Sequence, residues 1–151
     1  MDEKILAQNK AAQRDYHILE IYEAGIELKG TEVKSLRAAQ ANLKDSFARI
    51  RDSEVFLFNM HISPYEFGNL ANVEPKRERR LLLHKAQIRR LLGQTTVKGY
   101  ALVPLKAYLK KGRVKIELAL VKGKRLYDKR QDIKRREDAR EVQRALRFKN
   151  R

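Results

Sequence analysis

The 151-residue sequence predicts a mainly β fold with small helices, arranged as a closed or nearly closed antiparallel barrel and followed by a basic C-terminal tail. Three observations predict it. Residues 22–29 alternate, with Tyr22, Ala24, Ile26 and Leu28 on one face and Glu23, Gly25, Glu27 and Lys29 on the other, which is the period of a half-buried strand. Two pairs of strand-like runs flank the short turns Asp52-Ser53 and KKGR (110–113), as the arms of hairpins do. No strand–helix–strand crossover joins these runs, so the sheet is expected to be antiparallel throughout.

The elements follow in order. Residues 1–12 are mostly polar with one Ile-Leu pair, and read as a loose leader ending in a helical turn near 9–12, where Asn9 suits a cap. Gly25 interrupts the outward row of its strand, as happens where a strand bends or another chain segment comes close. Beyond Gly30, Thr31 offers a capping oxygen, Glu32 puts a negative charge in the first turn, and Val33 with Leu36 gives helical spacing. Residues 31–37 therefore predict a short helix projecting Lys34 and Arg37 from its other face. A connector over 38–45 leads to strands at 46–51 and 54–62. Within the second, VFLF (55–58) is apolar on both faces, which predicts a central strand covered on both sides.

Residues 63–80, with Pro64 and Pro75, read as a surface excursion. Its end, KRERR (76–80), is open between a phosphate track and a solvated charged face. Residues 81–93 place Ile88, Leu91 and Leu92 at helical spacing and stop on Gly93, predicting a helix that packs on or plugs the sheet. Strands at 99–109 and 114–121 complete the set, with Pro104 requiring an edge or a bulge. The expected organisation is one folded domain over 1–121 and a tail over 122–151.

Charge narrows the function. Thirty-five Lys and Arg against nineteen Asp and Glu leave +16, which points to a polyanionic partner. With no Trp, no apolar run near the length of a span and no broad oily helix face, a membrane is not the expected polyanion. Absent cysteines exclude disulfides and thiolate metal sites, and the start has no hydrophobic segment behind a basic head. A cytoplasmic protein is expected. The tail holds thirteen Lys and Arg against five Asp and Glu, a net of +8, and its stripe of Ile133, Val142, Leu146 and Phe148 is too thin to dock a helix. It is expected to be disordered when free and to order along a phosphate-lined groove, a passive solubilising tail being the bland alternative.

His17, His61 and His84 sit in three unrelated segments without metal-ligand spacing. No glycine-rich phosphate loop, nucleophile elbow or paired-carboxylate motif occurs either. Neither catalysis nor a cofactor nor a metal is expected.

Three stretches carry a resemblance. EAGIELKGTEVKSLR (23–37), NKAAQRDY (9–16) and KGKRLYDKRQDIKRRE (122–137) resemble, in order and spacing, the signatures of the SsrA-binding (small protein B) family. The resemblance implies a barrel of the oligonucleotide-binding type with flanking helices. It further implies binding to the tRNA-like part of transfer-messenger RNA, delivered with elongation factor Tu to ribosomes stalled on messages lacking a stop codon. Alanyl-tRNA synthetase would be reached indirectly, through that RNA. On this reading Asn9, Lys10, Glu23, Lys34, Arg37 and Lys115 face the RNA, a carboxylate at Glu23 accepting from a base amino or ribose hydroxyl. Gly123, Lys124, Asp128, Lys129 and Arg130, with Lys134 and Arg135, match the tail that enters the vacant message channel beside the small-subunit decoding centre, becoming helical there. The competing expectation is a basic ribosomal or single-strand-binding protein that coats RNA without selecting it.

Overall fold

The computed structural model describes residues 4–65 and 73–123. Within them the chain runs β1 (Lys4–Gln8), α1 (Lys10–Asp15), β2 (Tyr16–Ile26), α2 (Gly30–Arg37), β3 (Ala41–Asn42), β4 (Phe47–Arg51), β5 (Glu54–Phe58), β6 (His61–Ile62), β7 (Arg79–Leu82), α3 (Lys85–Gln94), β8 (Tyr100–Lys110) and β9 (Arg113–Gly123). The fold is mainly β with small helices. Seven strands form one antiparallel sheet in the order β1-β8-β4-β5-β7-β2-β9, with a further pairing of β8 to β9, while β3 and β6 form a separate ladder.

The alternation of β2 is realised as read: Ala24 is fully buried, Tyr22 and Ile26 pack against the core, and Glu23 and Glu27 face out. At Gly25 the strand pairs with Lys115 of β9 and Leu82 of β7, and a Cβ added there would stand 3.3 Å from that of Leu82. The close neighbour is thus a β7 side chain. Both hairpins close on two residues of positive φ, Asp52 and Ser53 in one, Lys111 and Gly112 in the other, the signs a type I′ turn needs. Pro104 lies at a register shift between itself and Lys106, the expected bulge.

The main core joins Leu36 of α2, Leu57 of β5, Leu81 of β7, Leu91 of α3 and Leu118 of β9. A second, smaller core lies under α1, where Ala12 covers Val103, Leu105, Ala119 and Val121. Strands β8 and β9 are therefore buried on both faces along much of their length.

Several expectations are corrected. The leader is no loose arm from Lys4 onward, because Leu6 enters the core and β1 pairs with β8. Residues 81 and 82 belong to β7 and not to the following helix: Leu81 pairs with Val55, and α3 begins only at Lys85. Gly93 lies inside α3, whose cap is Thr95, with its hydroxyl donating to the Leu91 carbonyl at 2.8 Å. The strand expected over 54–62 breaks at Asn59, which has φ 66. In VFLF only Val55 and Leu57 are fully buried; Phe56 and Phe58 are partly buried, shielded by a stacked Phe47 ring and the Arg51 side chain. Strand β9 extends two residues past the expected boundary at 121, to Gly123. Among the described residues no helix is long and apolar enough to cross a membrane.

Candidate nucleic-acid interface

Helix α2 carries Lys34 and Arg37, and its placement rests on a buried ion pair. Lys29, not Thr31, is the residue before the first turn, and its N–H donates to the Glu32 carboxylate at 2.8 Å. The same carboxylate, 3% exposed, accepts from Arg77 at 2.8 and 3.0 Å and from Nε of Arg79 at 2.8 Å. Arg79 is itself buried, and its two terminal nitrogens donate to the carbonyls of Met60 and Pro75. Burial pushes the Glu32 carboxyl up, but Arg77, the Lys29 N–H and Arg79 together outweigh it and hold the group below its ordinary value of 4.5. Burial likewise pulls Arg79 down, opposed by Glu32. Each guanidinium nitrogen and both Glu32 oxygens have a partner, so the group clamps the N-terminus of α2 to β7 and the segment before it.

Two arginines of KRERR are thus consumed inside the protein. Arg80 bridges Glu27 and Glu54, both at 2.6 Å. Neither a phosphate track nor a freely solvated face describes Arg77, Arg79 and Arg80, because each finds a carboxylate of this chain first.

A second cluster lies on the outer face of β2, β9 and β8. Glu23 accepts from the Tyr108 hydroxyl at 2.5 Å and from Lys110 at 3.1 Å, which hold its carboxyl below the ordinary value, with Lys115 adding to the effect. Lys115 stands opposite Tyr108 on one side and Gly25 on the other. Lys106 lies 5.3 Å over the Tyr108 ring and 3.4 Å from Glu117. The C-terminal end of α2 reaches the same region, since Arg37 donates to the carbonyl of Gly112 in the β8–β9 turn at 3.4 Å. One turn earlier, Lys34 sits 5.4 Å over the Tyr65 ring.

Asn9 stands apart from this cluster. It caps α1, accepting from the Ala12 N–H at 3.2 Å, donates its amide to the Pro104 carbonyl at 3.0 Å, and is only 7% exposed. Its own N–H bonds the Leu105 carbonyl at 2.8 Å. The residue thus pins α1 to the bulge in β8, and Lys10, exposed at the first helical position, is what it presents.

Glu23, Arg37 and Lys115 are therefore brought to one face, Lys34 flanks it, and Asn9 with Lys10 lies further along β8. Gly123 pairs with Tyr16 as the last residue of β9. Lys124, Asp128, Lys129, Arg130, Lys134 and Arg135, and the expectations for the tail, lie outside the described residues. Sequence reasoning missed Tyr108 and Lys110, although Lys106, Tyr108 and Lys110 share one parity along β8. It singled out Arg77 and Arg79 within KRERR but not their pairing with Glu32, for which there is no local signal.

The class defined by this geometry is a basic, mainly β protein whose cations ride on a rigid sheet and one clamped helix, without a metal-ligand cluster among the described residues. The chain belongs to the SmpB family, whose model, described as SmpB protein, matches residues 6–148. It is 63% identical to the SsrA-binding protein of Desulforudis audaxviator over 97% of this chain and 96% of that one. To the SsrA-binding protein of Carboxydothermus hydrogenoformans it is 61% identical, covering 96% and 97%. A solved structure described as "tmRNA-SmpB: a journey to the center of the bacterial ribosome" matches with TM-score 0.70 and 52% identity, over 92% of this chain and 97% of that one.

Proposed function

We propose that the protein binds the tRNA-like part of transfer-messenger RNA and delivers it, alanylated and with elongation factor Tu, to stalled ribosomes for rescue and peptide tagging. The carrying observation is the common frame of the cations: α2 is clamped at one end by Glu32 and tied at the other to the β8–β9 turn, beside Lys110 and Lys115. A fixed array of this kind recognises a folded RNA by shape and backbone, where a loose one would coat any strand. Membership of a family of SsrA-binding proteins, and likeness to a solved chain from a tmRNA-SmpB study of the ribosome, point the same way.

In this reading the sheet is an oligonucleotide-binding type barrel, supported by the return of the pairing order to β8 through β9. Asn9 acts by placing Lys10, and Glu23 accepts from a base or ribose donor. The basic segment beyond Gly123, with Lys124, Asp128, Lys129, Arg130, Lys134 and Arg135, senses an empty message channel and becomes helical there. The protein works in the cytoplasm as a carrier and performs no catalysis.

A competition at fixed salt between transfer-messenger RNA, ordinary tRNA and a single-stranded oligomer tests the proposal. Preference for the first is expected; equal affinities would leave a non-selective RNA-coating protein. Removing the chain beyond Gly123 is expected to leave RNA binding nearly intact and to abolish tagging on stalled ribosomes.

A further inference from the structure

Strands β4 and β8 meet at a single pair, Ala48 with Leu102. By the alternation of an antiparallel ladder Ile50 directs its N–H and C=O to the same side as Ala48, towards the place Tyr100 would fill. Tyr100 instead gives its N–H to the Val97 carbonyl at 3.1 Å, in the turn entered through Gly99 at φ +90. The ladder stops, and a cleft of about 410 Å³ opens between the two strands, lined by Phe47, Arg49, Ile50, Leu92, Thr95 and Tyr100 among others. That volume falls within the range of about 300–1,000 Å³ found for small-molecule sites.

The chemistry of the lining selects an occupant. Tyr100 supplies an aromatic face, Phe47 the rim of its ring, Ile50 a peptide edge that enters no ladder pair with β8, and Leu92 an exposed apolar wall. The Arg49 guanidinium stands 5.3 Å over the Phe47 ring. Its neighbours are neutralised, Arg51 by Glu78 and Arg80 by Glu27 and Glu54, whereas Arg49 enters no ion pair among the described residues. From the cleft an aromatic row continues over the outer face of the hairpin, with Phe58 stacked on Phe47 at 5.4 Å and Phe56 under Arg51 at 4.3 Å. An aromatic face, a peptide edge and a free cation at the rim are what a nucleobase with its phosphate requires.

The geometry points to the β4–β8 cleft as a second RNA site, one that takes an unpaired nucleotide from a single strand laid across β4 and β5. In the sheet order β4 and β5 are separated from β2 and β9 by β7 on one side and β8 on the other, so this site is distinct from the face that carries Glu23 and Lys115. The inference rests on the reading of the protein as an RNA binder.

The full isotope-labelled chain is titrated with a short oligoadenylate carrying one 2-aminopurine, and separately with the tRNA-like part of transfer-messenger RNA. Expected are quenching of the 2-aminopurine, shifts of the Ile50 and Tyr100 amide signals, and oligoadenylate affinity about tenfold weaker in Arg49→Ala, with the folded RNA bound as before. Arg49→Lys, which keeps the charge but not the planar stack, is expected to fall between the two. Arg49 is exposed, so neither variant threatens the fold. Equal oligomer affinity in Arg49→Ala, or unmoved Ile50 and Tyr100 signals, overturns the inference while leaving the folded-RNA reading standing. Failure of the wild type to bind either RNA overturns both. Broadening of the Ile50 and Tyr100 signals, without RNA, by a nitroxide on a single cysteine introduced at Lys149 would assign the cleft to the chain's own end instead.

Discussion

Glu32 and Glu23 lie nine positions apart, and each accepts from two cationic or hydroxyl side chains, yet the two are different devices. Glu32 is 3% exposed, and its partners Arg77 and Arg79 are largely or wholly withdrawn from water. The Glu23 side chain is 38% exposed and its partner Lys110 is 40% exposed, so solvent screens what they exchange. The first arrangement holds structure: with its charges already removed from water, losing one partner strands the others. The second stays at the water boundary, so its ions can exchange one partner for another at little cost.

The contrast can be broken most forcefully at Glu32. Glu32→Gln strands Arg79 in the core and is expected to cost about 3–5 kcal/mol of stability, read by urea unfolding. A loss below about 1 kcal/mol would make the buried pair no different from a surface one. The same carboxylate gives a signed pH dependence. Its folded pKa lies below 4.5, so its contribution is fully present above 4.5 and is lost as pH falls through the lower folded value. Wild-type stability is therefore expected to decline in that acid window more steeply than that of Glu32→Gln.

Asn9→Ala comes next. It removes both the cap of α1 and the bond to the Pro104 carbonyl, for an expected loss of about 1–2 kcal/mol. Amide exchange should quicken in α1 while β5 and β7 stay protected. Smallest in stability is Glu23→Gln, expected to change it by less than about 1 kcal/mol. Its affinity for the tRNA-like RNA is nonetheless expected to fall by up to about tenfold, as one charge-assisted acceptor is lost. Equal losses of stability at Glu23 and Glu32 would erase the distinction between them.

Much of the fold was legible because it is written in short-range periods. The alternation at 22–28, the bulge forced by Pro104 and both hairpin turns are local consequences of strand geometry. Reading failed where a local pattern has two solutions. Leu81 to Leu83 followed by Ile88 fits a helix as well as a strand followed by a helix, and pairing of Leu81 with Val55 decides between them. Lys4 to Gln8 looks like a fraying end until β8 offers it an edge. The charged cluster was half legible: Glu23, Arg37 and Lys115 come to one face, whereas Tyr108 and Lys110 lie in a strand whose parity already placed them together.

What the sequence by itself determined is the kind of object, a basic, mainly β protein with small helices, since side-chain period and net charge need no knowledge of the chain's path. What only the tertiary structure decided is the fate of each charge. Glu32 meets Arg77 and Arg79 across 45 and 47 residues, and Arg37 meets Gly112 across 75. Whether an arginine is spent inside or offered outside depends on which carboxylate the folded chain brings within about 3 Å, and on how much water remains between them.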